Sequence, residues 1–498
     1  MKINKITILA SAFAISLTSC NDFLDVKPGD SSDATTVLTK VSDAKSLING
    51  LNKQMVSSNY YGRNFLLYAD AKGGDLTVYA NGRGHDALYS FNHSATTNNY
   101  GAFWSSLYSC INQSNFILEK IAEAEPLYPT QNFQYIKGQA YTARALFYFD
   151  LVRLYGKTYT QDKDSYGVPI ITSTQSYDFK PTTRNTVAEV YTQIIKDLEE
   201  GKALLSSNKA SAQGYIDYYT NIAIQSRVYL TMGNYDKAYE TSKEIINSNV
   251  YKLYSNEDLT RSWSAMFGTE SIFELAIYEG ESDLGTSSLG YYYMRRVSSQ
   301  GGMFAASENF IQTLGQDAND VRKNMFGRDE KSASRMGAVY KYFGTVSTGS
   351  TSSTINSRGD KGTANYTAVN IKVIRLSEIY LTAAEAALKK SNPDLEEAAN
   401  LYNAIRKRSP NLALATASTI NEDLIIEERR KEFFGEGLRY WDIIRLNKTI
   451  TFDEAYGGIS YTWRPSTINR DYNRTILPIP QSEINANPNL KNQQNPGY

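Results

Sequence analysis

Apolar residues recur along this chain at the spacing of one helix face, and no other feature limits its fold as strongly. The first clear stripe follows i, i+3 and i+4 steps and comprises Phe103, Leu107, Cys110, Ile111, Ser114, Ile117 and Ile121. A second stripe comprises Ala140, Arg144, Phe147, Leu151 and Leu154, and Tyr155-Gly156 ends it. A period near 3.6 residues indicates amphipathic helices rather than strands. The chain is therefore expected to be mostly α-helical.

Two later segments have the pattern of helical hairpins. The first turns at Gly233-Asn234, and the second is broken at Asn392-Pro393. In both, small residues face aromatic ones at matching offsets after the turn, which resembles the tetratricopeptide helix pair. Because the two copies lie about 160 residues apart, insertions must separate them, and repeat scaffolds often place insertions on the binding face.

The first twenty residues have the order of a secretory signal. Lys2 and Lys5 precede an apolar run that ends in Leu17-Thr18-Ser19-Cys20. The run of about a dozen residues is too short to span a bilayer, which takes roughly 20. A cysteine at the cleavage point is typical of a bacterial lipoprotein, so Cys20 is predicted to carry lipid, such as palmitate. The alternative is an ordinary cleaved signal with an incidental cysteine.

Composition excludes some classes of function. Lys and Arg balance Asp and Glu at 52 each, and no basic run occurs, so a nucleic-acid partner is not expected.

Cys20 and Cys110 are the two cysteines. If Cys20 is lipidated, Cys110 has no partner, and its place on an apolar helix face predicts a small core residue rather than a reactive thiol.

Four irregular stretches interrupt the helical pattern. They are rich in Gly, Asn, Ser, Thr or Tyr and cover residues 60–100, 279–302, 344–362 and 449–474. Long loops inside a compact domain are usually functional or disordered. Tyrosine is abundant, with 38 residues, and most are expected to pack between helices, while a few in these loops could stack on a ligand.

The sequence gives little support to catalysis. His85 and His93 are the two histidines, and they are interpreted as surface-loop residues rather than metal ligands. No nucleophile elbow, phosphate loop or zinc-protease motif occurs. No cofactor is expected.

Glu432 and Glu436 could form the acid and base of a glycoside hydrolase. Arg430 and Arg439 lie close in sequence and are expected to keep both carboxylates ionised, which is wrong for the acid. Glu436, Arg439, Asp442 and Arg445 alternate in sign at i+3 spacing and are predicted to form an ion-pair ladder on one helix.

Four ordered stretches, together with Cys20-Asn21-Asp22-Phe23-Leu24, resemble one known family. They begin Phe103-Trp104, Arg144-Ala145-Leu146-Phe147, Glu428-Arg429-Arg430 and Leu477-Pro478-Ile479-Pro480; Gly167-Val168-Pro169-Ile170 follows the second, and Asn495-Pro496-Gly497-Tyr498 ends the last. The third continues through Glu436-Gly437-Leu438-Arg439-Tyr440-Trp441-Asp442. In these motifs the chain resembles the SusD/RagB family of outer-membrane nutrient-uptake lipoproteins of the Bacteroidetes.

The resemblance implies a mostly α-helical, tetratricopeptide-like helix-pair scaffold with long loop insertions forming a binding face. It divides the chain into a signal peptide (1–19), a lipid anchor and tether (20–40), and one SusD-like domain (41–498). Within that domain, the N-terminal part covers about 41–230 and the C-terminal SusD/RagB part about 265–498. It also implies a lipid-anchored protein of the outer membrane, displayed on the cell surface.

The implied function is capture of a glycan and its delivery to a SusC-like TonB-dependent transporter, without bond cleavage. Ligand contacts are expected from N-terminal loops and from a mid-chain loop. The expected residues are Asp70, Asp75, Tyr79, Arg83, Tyr89, Phe91, Asn92, Tyr100, Trp263, Tyr291, Tyr292 and Tyr293. The alternative for each ring is that it anchors its own loop. A peptide-binding member of the family and, more remotely, a carboxylate-dependent hydrolase remain open.

Overall fold

A computed structural model describes residues 38–78, 85–96, 102–174, 181–263, 266–278, 287–293, 303–329, 332–339, 341–342, 368–454 and 464–498. These residues form a mostly helical protein with a few short strands, as the apolar periodicity predicts. Within this part of the chain, none of the helices combines the length and apolar character needed to span a bilayer.

The helices are named in chain order. They are α1 (Val41–Met55), α2 (Asn64–Lys72), α3 (Asp86–Tyr89), α4 (Phe103–Ala124), α5 (Gln134–Tyr155), α6 (Tyr159–Asp162), α7 (Val187–Leu205), α8 (Tyr218–Met232), α9 (Tyr235–Ser248), α10 (Leu259–Ser262), α11 (Leu289–Tyr293), α12 (Glu308–Leu314), α13 (Leu376–Lys389), α14 (Leu395–Arg406), α15 (Glu422–Glu432), α16 (Arg439–Arg445) and α17 (Gln481–Ala486). Short 3₁₀ turns occupy Val321–Met325, Asn473–Thr475 and Pro488–Leu490.

The described strands pair two by two, always antiparallel. They are β1 (Leu76–Val78), β2 (Ser271–Leu275), β3 (Phe304–Ala306), β4 (Phe326–Asp329), β5 (Ser332–Val339), β6 (Ile371–Arg375), β7 (Ile450–Thr451) and β8 (Thr467–Ile468). The pairs are β1 with β3, β2 with β6, β4 with β5, and β7 with β8. The pairs β1–β3 and β2–β6 join segments that are distant in sequence, whereas β4–β5 and β7–β8 join nearby segments.

The first two predicted helices are confirmed as α4 and α5. Every residue of the predicted α4 stripe is buried, and Cys110 lies among them as a free, buried thiol. Burial raises the pKa of the Cys110 thiol to about 12, which fits a core residue rather than a nucleophile. Helix α5 is buried on nearly all sides and ends at Gly156, so it forms the centre of the N-terminal helices.

An ion pair explains the one charged residue of the α5 stripe. Arg144 donates from Nε and Nη2 to the Asp197 carboxylate of α7 at 2.8 and 2.6 Å. Its Nη1 donates to Asn115 Oδ1 of α4 at 2.8 Å, so one guanidinium joins three helices. A capping box begins α7, because Thr186 and Glu189 exchange hydrogen bonds there.

Both predicted helical hairpins are present. Gly233 ends α8 with a φ of +73°, a left-handed conformation that glycine adopts without strain, and Asn234 caps α9. Helices α13 and α14 flank the Asn392-Pro393 break, and Asp394 caps α14. Helix α13 packs against both α9 and α14, so the two hairpins are neighbours in space.

The predicted ion-pair ladder is only half right. The chain leaves the helix after Glu432, and Gly435 and Gly437 take positive φ values before α16 begins at Arg439. The turn directs Glu436 toward Lys341 and Arg375 instead of Arg439. Asp442 and Arg445 do pair at 2.8 Å, and Arg429 of α15 pairs with Asp442 at 2.7 Å.

Candidate functional site

Three of the irregular stretches meet on one side of the protein, which we call the loop face. It consists of residues 63–78 and 85–93, residues 287–293 and 303–307, and residues 450–454 and 464–475. Strand β1 pairs with β3, with Thr77 opposite Ala305. The Ser307 amide also donates to the Asp75 carbonyl at 2.7 Å. The predicted juxtaposition of the N-terminal and mid-chain loops is therefore present in the fold.

Asp70 links α2 to the mid-chain segment and to the turn before α16. Its Oδ2 accepts from the Tyr293 hydroxyl at 2.6 Å and from the Gly437 amide at 3.1 Å. Burial raises the pKa of Asp70 to about 7, although both donors act in the opposite direction. Gly437 has a φ of +73°, and a Cβ there would lie 2.7 Å from the Leu66 Cα, so this contact requires glycine.

Asp75 is held by two arginines from the C-terminal half. Arg430 approaches its Oδ1 at 2.6 Å, and Arg439 approaches Oδ2 at 3.3 Å. All three side chains are largely buried. Asp75 therefore joins β1 to α15 and α16.

Tyr292 lies between two polar side chains of the N-terminal segment. The Arg63 guanidinium lies 5.0 Å from the centre of its ring, and the His85 ring centre is 4.7 Å away. Asn64 Oδ1 connects these two residues, since Arg63 Nε donates to it at 2.8 Å and His85 Nε2 lies 2.9 Å from it. Arg63 also donates to the Ser287 carbonyl at 2.9 Å, and Tyr291 packs edge-on against Tyr292.

Tyr89 connects the N-terminal segment to the third stretch. Its ring meets Phe452 edge-on at 5.5 Å, and the Arg464 guanidinium lies 4.9 Å from its centre. Its hydroxyl lies 3.4 Å from Glu454 Oε1, and Arg464 pairs with the same carboxylate. Burial raises the pKa of the Tyr89 phenol, so this hydroxyl stays protonated.

Phe91 and its neighbours enclose a lysine. Lys72 Nζ lies 4.2 Å from the centre of the Phe91 ring and 3.4 Å from His93 Nε2. Burial lowers the pKa of Lys72 well below its usual value and does the same to His93, where Lys72 adds to the effect. Phe91 itself has a φ of +56°, a conformation that is uncommon for a bulky residue.

Trp263 packs against the residues that follow β5. It meets the Tyr342 ring edge-on at 5.4 Å, and Lys341 Nζ lies 4.7 Å from its ring. Its indole Nε1 is buried and has no hydrogen-bond partner among the residues that the structure describes.

The structure shows how accessible each predicted contact residue is. Asn92 is exposed, and the buried ones are Asp70, Asp75, Tyr89, Phe91, Trp263, Tyr291, Tyr292 and Tyr293. Tyr291 at 9% and Tyr292 at 6% are the most accessible of the buried rings, whereas Tyr89, Phe91 and Tyr293 are fully enclosed. Cys20, Tyr79, Arg83 and Tyr100 lie outside the described residues. Most of these rings pack as loop anchors in this conformation, and their contact with a ligand stays a prediction.

Both histidines differ from their predicted surface positions. His85 and His93 are 2% exposed, because Tyr292 covers the first and Lys72 with Tyr498 covers the second. Among the described residues, no group of three or more His, Cys, Asp or Glu side chains is arranged to hold a metal ion.

Glu432 and Glu436 both form ion pairs, but not with the arginines that the sequence pointed to. Arg430 and Arg439 pair with Asp75, and Arg375 instead contacts both glutamates, at 3.2 and 2.8 Å. Burial favours the neutral form of Glu432, but Arg375 and other nearby cations outweigh it and lower its pKa to about 2. Both side chains are enclosed, so they serve as core ion pairs.

Sequence reasoning missed several members of the loop face. Arg63, Asn64 and Arg464 organise the rings of Tyr292 and Tyr89, yet none carries a motif. Their one available signal was position, since Arg63 and Asn64 lie in the first irregular stretch and Arg464 lies in the last.

Comparisons with known proteins cover almost the whole chain. A family model described as "Starch-binding associating with outer membrane" matches residues 22–230, and the SusD family model matches residues 174–498. SusD-like protein P2 of Formosa agariphila is 26% identical over the full length of both chains. The starch-binding protein SusD of Bacteroides thetaiotaomicron is 25% identical, covering 78% of this chain and 76% of its own. A crystal structure of a SusD superfamily protein from B. thetaiotaomicron has a TM-score of 0.79 and 31% identity, covering 92% of this chain and 100% of that one.

Proposed function

The chain belongs to the SusD/RagB family, and from that premise we propose that it captures a carbohydrate on its loop face. It is a binding protein and not an enzyme. The relative named for starch binding supports a glycan ligand. Glu432 and Glu436 are enclosed and paired with Arg375, which also argues against the hydrolase alternative, because an inverting or retaining enzyme needs a carboxyl group that faces a cleft and donates a proton.

The observation that carries the proposal is the meeting of three irregular stretches through side chains suited to sugars. Sugar rings present apolar faces that pack on aromatic rings, and their hydroxyls need charged or amide partners. Around Tyr292 the loop face combines two tyrosine rings with the guanidinium of Arg63.

The exposed fraction of each side chain separates residues that can touch a ligand directly from residues that support the site. Asn92, with its exposed amide, and the accessible edges of Tyr291 and Tyr292 are proposed to touch the ligand directly. Asp70 and Asp75 are proposed to act indirectly, because their carboxylates fix Tyr293, Arg430 and the strand that carries the loop. We expect several weak contacts, spread over more than one sugar unit, so that the ligand can dissociate and pass to a transporter.

We further propose that Cys20 carries a lipid that holds the protein at the outer membrane, on the cell surface, and that the glycan passes to a SusC-like TonB-dependent transporter. The family description that associates its members with the outer membrane supports this placement. A Cys20→Ala variant expressed in a Bacteroidetes host should lose incorporation of labelled palmitate and leave the outer-membrane fraction. Retention of both label and membrane association would contradict lipidation at this residue.

Calorimetric titration tests the binding function. The chain from Asn21 onward would be titrated with α- and β-glucans, mannans, fructans, host glycans and mixed peptides, and each mixture would be analysed for cleavage afterwards. Binding to one glycan class with intact chains is expected. Peptide binding alone would contradict the glycan proposal in favour of peptide uptake, and shortened chains would contradict a purely binding role.

A pair of tyrosine variants then locates the site. Tyr292→Ala should weaken binding of that glycan at least tenfold. The substitution removes the ring itself and also the packing that holds the Arg63 and His85 side chains in place. Tyr166→Ala is the matched control, because Tyr166 is 47% exposed and lies in a different part of the chain. Equal affinity of both variants would contradict the assignment to Tyr292.

A further inference from the structure

Apart from the loop face, the structure contains a cavity where three of the motif-bearing segments converge. It has a volume of about 250 Å³ and lies between the start of α4, the residues Pro169, Ile171 and Thr182, and the segment from α17 to Leu490. It shares no lining residue with the loop face. This volume far exceeds the roughly 10–15 Å³ that one water needs and is slightly below the usual range of small-molecule pockets. Its size therefore suits one ring rather than a polymer.

The walls of the cavity are mainly apolar. Trp104 and Ile111 lie at its buried floor, and Ile171 and Leu490 line it from the other two segments. Tyr108 packs against Trp104 with 5.0 Å between ring centres. Such walls favour a ligand with an apolar face.

Several polar side chains line the cavity: Ser105, Tyr108, Asn112, Thr182, Glu483 and Asn487. The Tyr108 hydroxyl already donates to the Pro169 carbonyl at 2.8 Å, and the Ser105 hydroxyl donates to the Ala102 carbonyl at 3.2 Å. Each of these oxygens keeps lone pairs. The half-buried Glu483 carboxylate accepts from the Trp104 indole and has further lone pairs. A ligand that carries hydroxyl groups can donate hydrogen bonds to these oxygens.

We propose that this cavity binds a single sugar residue, with the apolar sugar face on Tyr108, Ile171 and Leu490 and its hydroxyls donating to Glu483. This second site rests on the proposed glycan function and extends it. The exposed residues Ser105 and Ala486 lie where the cavity opens to solvent. A sugar at the end of a longer chain can enter there while the rest of the chain stays outside.

Fluorine NMR tests the second site directly. The chain from Asn21 onward would be labelled with 5-fluorotryptophan, which marks its four tryptophans, and Trp104→Phe would assign the Trp104 signal. The probes are glucose, maltotriose, laminaritriose, the trisaccharide of any polysaccharide that binds in calorimetry, and 2-phenylethylamine. A saturable shift of the Trp104 signal with at least one sugar is expected.

Two variants each change one side chain that lines the cavity. Ala486→Phe should narrow the opening and weaken the sugar-dependent shift at least tenfold, and Glu483→Gln should weaken it on the order of tenfold by removing a carboxylate acceptor. Ala122→Phe, on the exposed side of the same helix α4, is the matched control and should behave as the unaltered protein. Melting temperatures of all variants establish that they fold.

The outcomes separate the two proposals. If calorimetry detects glycan binding while the Trp104 signal stays fixed, or if the shift persists in Ala486→Phe, the second site is refuted and the loop-face function stands. If no glycan binds by either method, both are refuted. A shift with 2-phenylethylamine but with no sugar would refute the sugar assignment.

Discussion

Replacing Asp70 by Asn should change how stability depends on pH. Burial raises the pKa of the Asp70 carboxyl group from 3.8 to about 7 in the folded protein. Between those two values the folded state therefore holds a proton that the unfolded state releases. Stability consequently falls as pH rises from about 4 to about 7, and a pKa difference of about three corresponds to about 4 kcal/mol.

Asparagine keeps the shape of the protonated acid and cannot ionise. Its Oδ1 can still accept from the Tyr293 hydroxyl and the Gly437 amide, the two donors that hold Asp70. The Asp70→Asn variant should therefore match the unaltered protein near pH 4.5. At pH 8 it should be more stable by about 3–4 kcal/mol.

Urea unfolding at pH 4.5 and pH 8 measures this difference, since the contributions of all other groups cancel between the two proteins. Asp471→Asn, at an exposed position, is the matched control for the change in net charge and should show no such difference. Parallel stability curves for Asp70→Asn and the unaltered protein would refute the argument, because they would mean that Asp70 titrates alike in both states.

Three further variants test the packing that supports the loop face. Tyr89→Ala should cost about 3–5 kcal/mol in urea unfolding, because the ring is fully enclosed. Gly437→Ala should lower the melting temperature and cost more than about 1 kcal/mol, because its positive φ and its approach to Leu66 exclude a Cβ. Arg144→Ala should cost about 3–5 kcal/mol in the same assay, because Asp197 is left as a buried, unpaired carboxylate.

Matched controls exist for all three variants. Tyr166→Ala and Arg261→Ala replace exposed side chains and should change stability little. Gly50→Ala lies in helix α1 with open space around its Cβ position and should stabilise slightly. A Tyr89, Gly437 or Arg144 variant that behaves like its control would contradict the packing described for that residue.

Local sequence was sufficient to predict the main helices and several of their ends. The α4 stripe, the Thr186 capping box and the Gly233 turn each depend on residues within a few positions, so periodicity and capping chemistry predict them. The break after Glu432 was missed because a charge pattern with i+3 spacing does not reveal the positive φ values of Gly435 and Gly437.

The candidate site was predictable in outline but not in detail. Irregular composition indicated which stretches meet, whereas the partners of each side chain depend on contacts across hundreds of residues. Asp75 is 355 residues from Arg430, and His93 is 405 residues from Tyr498. The sequence placed both histidines in surface loops and favoured the loop tyrosines as ligand contacts, but tertiary packing encloses both histidines and most of the loop tyrosines that the structure describes.

Hydrogen–deuterium exchange with and without the glycan that binds in calorimetry is the most direct test of the central claim. We expect slower exchange in residues 85–93, 287–293 and 450–454 together, because one ligand contacts a face built from all three stretches. Unchanged exchange in all three, with protection confined to other parts of the chain, would contradict a binding site on the loop face.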